Sequence, residues 1–334
     1  MQALLPLFLA AMASAQSWIA QTSNTTASLR GASAVDSRTV WASGTGGTYL
    51  VTTDGGDHWT AAHVPGAESL DFRGIRAIDA RTVFLMSAGN GGQARLYKTS
   101  DAGAHWQLLF TNPDAKGFFD AIGFWDAAHG IVLGDPVDGQ FAIFTTDDGG
   151  AHWQRQHTPP ALPNEGAFAA SNSCLVLRGK REAWFGTGGP AGARVFRSTD
   201  RGRSWSVAAT PIRNDGPAAG IFSLAFSDSR HGIAVGGDYA KDQEDRQNVA
   251  ITTDGGRTWT APNGPGPGGF RSAIVYFRSQ KLWLATGTSG SDVSSGAGQS
   301  WKMFDDGSYH AMTFAGDRGW AVGTRGRIAV YRPR

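Results

Sequence analysis

A chain of 334 residues with 46 glycines, 12 tryptophans and only 17% charged residues has the makeup of an all-β protein rich in tight turns. Its net charge is +2, with acids and bases interspersed, so it carries no electrostatic footprint of a nucleic-acid binder. The single cysteine, Cys174, excludes an intramolecular disulfide; it sits in an apolar run and reads as a buried, inert thiol.

The chain opens on a short apolar stretch, residues 4–12, followed by Ala13-Ser14-Ala15. This predicts a signal peptide over residues 1–15, with no basic residue before its apolar core, and a single domain over residues 16–334. The apolar stretch is too short to span a bilayer as a helix, and no other segment predicts a membrane span. Export, to a periplasm or outside the cell, is the expectation. Asn24-Thr25-Thr26 is a formal glycosylation sequon.

From there a single string recurs. Thr52-Thr53-Asp54-Gly55-Gly56-Asp57-His58-Trp59 is followed by equivalents centred on Asp101, Asp148, Asp200 and Asp254. A worn copy ending at Trp301 has Gly296 in place of the aspartate. The pattern Ser/Thr-x-Asp-x-Gly-x-x-Trp has the chemistry of a hairpin turn. The carboxylate accepts backbone N–H bonds, the glycine takes a positive φ, and the tryptophan opens the next strand. Asp54, Asp101, Asp148, Asp200 and Asp254 are therefore structural. His58, His105 and His152 recur at one position of this string and are not a metal cluster.

The tryptophans at 18, 59, 106, 153, 205, 259 and 301 are spaced by 41 to 54 residues, the period of a four-stranded propeller blade. Each repeat also holds a short apolar second strand, such as Ile131-Val132-Leu133-Gly134 or Ile233-Ala234-Val235-Gly236. The seventh repeat has three strands and stops. Ser17-Trp18-Ile19-Ala20 matches the missing fourth, so the N-terminal strand is expected to complete the last blade. The predicted fold is all-β, a seven-bladed β-propeller closed by that strand, which leaves no open edge.

These turns and strands resemble the BNR/Asp-box propellers, most closely the photosystem II stability/assembly-factor-like group. The resemblance spans nearly all of the mature chain and implies the propeller fold. Its superfamily includes assembly chaperones, sorting receptors and glycosidases, so fold alone does not assign an activity. A sialidase would need three arginines on a carboxylate, a Tyr/Glu nucleophile pair and an Asp acid/base. Arg73, Arg271 and Arg325, with Tyr239 and Glu165, could be assembled into such a set, but Phe72-Arg73-Gly74-Ile75 keeps only the Phe-Arg of that family's motif.

In a propeller the repeated turns lie on one face, and the loops from strand two to strand three and from strand four to the next blade lie on the other, over the channel. Loops on a rigid scaffold carry function. The candidate ligand-binding residues there are Asp135, Glu165, Asp238, Tyr239, Arg271 and Asp292. The favoured reading is a non-catalytic binding or assembly-factor propeller, monomeric, that holds a protein, peptide or glycan. The alternative is a glycoside hydrolase or lyase using Glu165, Asp135, Asp238 or Tyr239. No residue pattern predicts a metal or cofactor.

Overall fold

In the computed structural model, residues 16–333 are described; the predicted signal peptide lies outside them. Seven antiparallel sheets form, six of four strands and one of three. Their innermost strands are Leu29–Ala34, Asp71–Ala77, Phe119–Phe124, Leu175–Arg178, Ala219–Phe226, Ala273–Phe277 and Ala311–Ala315. Blades one to seven follow that order around the channel.

Each blade hides its apolar faces against its neighbours. Seven hydrophobic clusters result, one per blade junction. Trp41, Tyr49, Phe72 and Ile75 join blades one and two, while Trp320, Val322, Leu29 and Val40 join blade seven to blade one. Burial of both faces explains why the second strands read as continuous apolar runs rather than alternating ones. The ring closes as expected. Ser17–Gln21 pairs antiparallel with Ile328–Arg332, with Trp18 opposite Tyr331.

The repeated turns all use one geometry. The Asp54 carboxylate accepts from the Thr52 hydroxyl at 2.7 Å and from the His58 N–H at 3.0 Å. Asp101, Asp148, Asp200 and Asp254 do the same with Thr99, Thr146, Ser198 and Thr252, and with backbone donors four residues on. The backbone donors lie three and four residues on, because the glycine, at φ 96° in Gly56 and 87° in Gly256, folds the chain back. The turns also tie blades together: the Trp184 indole donates to the Gly255 carbonyl at 2.9 Å, and that of Trp320 to Gly55 at 3.2 Å. Asp254→Ala is expected to lose about 1–2 kcal/mol by chemical denaturation, with ligand binding unchanged. Loss of binding at unchanged stability would make this turn a site.

Two elements differ from the repeat. Blade five has no fourth strand beyond a bridge of Ile251 with Thr260. Pro262, Pro265 and Pro267 follow, and proline cannot donate to a ladder. In blade four the innermost strand shrinks to Leu175–Arg178, and the residues before it leave the sheet.

Candidate functional site

Those residues cross the channel. Asn172, at φ 64°, accepts from the Ile122 N–H at 2.8 Å and donates to the Ile122 and Ile75 carbonyls at 3.0 and 3.4 Å. The Ser171 hydroxyl donates to the Ser272 carbonyl at 2.7 Å, and Ser173 lies 2.6 Å from the Ser223 hydroxyl. One segment thus bonds the inner strands of blades two, three, five and six. The fit is close: a Cβ on Gly74 would fall 2.8 Å from the Asn172 Oδ1. Small residues, Ala169-Ala170-Ser171-Asn172-Ser173, let the backbone enter the axis. The segment divides the channel. Ala167, Phe168, Ala169 and Ala170 floor a cavity of about 490 Å³ on the loop face. Asn172 and Leu175 line a second one of about 390 Å³ toward the repeated turns, alongside Arg76.

The loop-face cavity has three chemically distinct sectors. Blades seven, one and two contribute His310, Arg30 and Arg73. The Arg30 Nη1 lies 3.1 Å from the His310 Nδ1, and Arg73 Nε donates to Asp71 at 2.7 Å. Burial holds the His310 pKa down to about 4, reinforced by the positive charge of Arg30 and Arg73, so the ring is neutral at pH 7. Blade three contributes Asp120 and Asp135. Asp120 is 1% exposed, and burial pushes its carboxyl well above the usual range, helped by Asp135 and opposed by Arg73. Burial also raises Asp135, against the Ala167 N–H bond at 3.0 Å. Blades four to six supply an aromatic wall. Phe168 stacks on Phe222 at 3.9 Å between centroids, Phe270 meets Phe222 edge-on at 4.7 Å, and Tyr239 borders it. Among the described residues, Asp120 Oδ2 and Arg30 Nε in the lining, and Asp71 Oδ1 beside Arg73, are buried with no hydrogen-bond partner. Such atoms are costly unless something else satisfies them.

The residues singled out from the sequence divide. Asp135 and Tyr239 line the cavity, and Tyr239 is 56% exposed. Glu165 does not line it. Its carboxylate takes both Nε and Nη2 of Arg194, the Thr187 hydroxyl and the Leu162 N–H. It borders a separate depression beside Asp135 and locks its own loop. Asp238 is buried, accepts from the Ala240 N–H at 2.9 Å and lies 3.7 Å from the Arg213 guanidinium. It caps the short turn that carries Tyr239. Arg271 and Asp292 form a buried ion pair with each other. The three arginines a sialidase would bring together are apart: Arg73 lines the cavity, Arg271 is spent on Asp292, and Arg325 lies in a turn beside Gln21. Among the described residues no group of three His, Cys, Asp or Glu side chains converges to hold a metal ion.

Sequence reasoning missed Arg30, Asp120 and the channel segment. Asp120 had a signal, a lone carboxylate inside Phe118-Phe119-Asp120-Ala121-Ile122, an apolar inner strand. A charge in such a run is either paired or functional.

No family model and no curated protein matches the chain. Solved structures do. One described as YCF48 bound to D1 peptide superposes with a TM-score of 0.62 at 16% identity, covering 95% of this chain and 97% of that one. Another, YCF48 from Cyanidioschyzon merolae, gives 0.63 at 16% identity, covering 96% and 99%. The chain is a seven-bladed β-propeller. At this identity the likeness shows the fold alone, and it extends over the whole ring.

Proposed function

We propose that this chain is an exported, non-catalytic propeller that holds a segment of peptide or protein against the channel mouth on its loop face. The observation that carries this reading is the cavity itself: a floored pocket with an aromatic wall and buried polar atoms left without partners. Concave sites of this size with a few convergent polar groups are where ligands bind. The likeness to YCF48 solved with D1 peptide supports a peptide as the ligand. So does the resemblance of the repeated turns to the photosystem II stability/assembly-factor-like group. A glycosidase is less well supported, because Glu165 and Asp238 spend their carboxylates on the protein's own donors.

A peptide-array screen with residues 16–334 tests this. Peptides selected on the wild type are expected to bind about 10-fold more weakly to Phe168→Ala and Tyr239→Ala, ~1.4 kcal/mol each. Val207→Ala, on an exposed outer strand, is expected to bind as the parent does. Binding lost in Val207→Ala and kept in Tyr239→Ala would move the ligand to the outer blade edges. Hydrolysis of a glycoside by the wild type would overturn the non-catalytic reading.

A further inference from the structure

The loop-face cavity presents opposite charges side by side. Arg73 and Asp120 belong to adjacent inner strands and feel each other's charge. Arg30 forms no ion pair with a carboxylate among the described residues, and its Nε is buried without a partner. Asp120 Oδ2 is likewise buried and unpartnered. A ligand carrying only a negative charge would satisfy Arg30, since Arg73 already donates to Asp71, and would leave the buried Asp120 carboxyl without a cation to stabilise its ionised form. One carrying only a positive charge would meet the arginines unfavourably. Both sectors are answered by a group with a carboxylate and an ammonium close together.

The third sector and the floor narrow the class further. Phe168, Phe222 and Phe270 form a continuous apolar wall opposite the charged sectors. Aromatic rings favour another ring through offset or edge contacts. The channel segment crosses the base, and about 490 Å³ suits a small molecule.

From this arrangement we infer that the cavity binds a free aromatic α-amino acid. Its carboxylate lies toward Arg30 and Arg73, its ammonium toward Asp120, and its ring on the Phe168–Phe222 wall. The guanidinium fork matches a carboxylate in two bonds, and the ammonium gives Asp120 Oδ2 the donor it lacks. The site uses the same cavity as the peptide-holding reading but makes a separate claim about what fills it.

Calorimetric titration of the full mature chain with four compounds decides the matter. L-phenylalanine is expected to saturate the protein at or below ~1 mM. N-acetyl-L-phenylalanine lacks the ammonium, L-phenylalaninamide lacks the carboxylate and glycine lacks the ring. Each is expected to bind at least about 10-fold more weakly, from one lost charged contact in the first two and from the lost ring packing in glycine. Asp120→Asn is expected to weaken L-phenylalanine by about 10-fold while leaving N-acetyl-L-phenylalanine unaffected, which a purely structural role for Asp120 would not produce. Should that variant misfold, the wild-type compound series still decides. No saturation by L-phenylalanine, or equal binding of the N-acetyl compound, overturns the inference. Peptide capture that L-phenylalanine fails to displace, with no amino-acid binding, overturns it while the peptide-holding function stands. Amino-acid binding without peptide capture does the reverse.

Discussion

Removing residues 17–21 is expected to prevent the chain from accumulating as a folded, soluble protein. That strand supplies five paired residues against Ile328–Arg332. Trp18, only 7% exposed, meets Tyr309 and Tyr331 with centroids 5.6 and 5.5 Å away, and its indole donates to Ser291 Oγ at 3.0 Å. Its backbone N–H reaches Asp305 in blade six at 3.2 Å, so the strand also fastens two blades. Truncating a buried tryptophan alone costs about 3–5 kcal/mol. The whole strand adds its ladder and bares the edge of Ile328–Arg332, where another chain can pair. A native stability of roughly 5–15 kcal/mol does not survive that. The measurements are soluble yield and the thermal melt by circular dichroism. Trp18→Ala, as the milder variant, is expected to fold and to lose about 3–5 kcal/mol. A deletion variant that melts like the parent would mean that the strand does not hold the ring closed.

The ring was legible because its signals repeat. Each Asp-x-Gly turn carries its own hydrogen-bond chemistry, and the tryptophan spacing fixes the blade length, so one ambiguous copy such as that at Gly296 is corrected by the others. Even there the backbone keeps the turn, with Gly296 and Gly298 at φ 89° and 76°. Closure was legible from Trp18 for the same reason. The site does not repeat, so no such averaging helps. Glu165 and Asp238 looked like candidates because they are charged residues in loops over the channel. What decides their roles is a partner far away in sequence: Arg194 for Glu165, and Arg213 for Asp238. Conversely, residues 168–173 look like an ordinary alanine- and serine-rich connection. Their role depends on contacts with four other blades. Asp120 was hidden by its apolar neighbours in an inner strand, where its carboxyl faces the axis.

Asp292→Ala is expected to cost about 3–5 kcal/mol, the penalty for leaving a buried charge without its counter-charge. Arg271 is 0% exposed, and its Nε donates to Asp292 Oδ2 at 2.6 Å while a second guanidinium nitrogen closes the ion pair. Its Nη1 donates to the Phe270 carbonyl and to Ser289 Oγ, both at 2.7 Å. Burial lowers the Arg271 pKa, opposed chiefly by Asp292 and also by Asp242. Without Asp292 the guanidinium must stay charged in an apolar setting or drag water inward. The double replacement Arg271→Met with Asp292→Leu is expected to recover most of the loss, because two apolar side chains remove the desolvation cost from both partners. Denaturant melts of the two single variants and the double complete the cycle. Because Arg271 also holds the Phe270 carbonyl, and Phe270 forms part of the aromatic wall, Asp292→Ala is further expected to weaken ligand binding at the cavity. The double variant, lacking that tether, is expected to regain stability without regaining the lost binding. A double variant no more stable than Asp292→Ala would show that the pair is not an isolated buried charge couple. Full binding in both variants would show that Phe270 is held without the Arg271 tether, by its ring packing against Phe222 and its N–H bond to the Asp242 carbonyl.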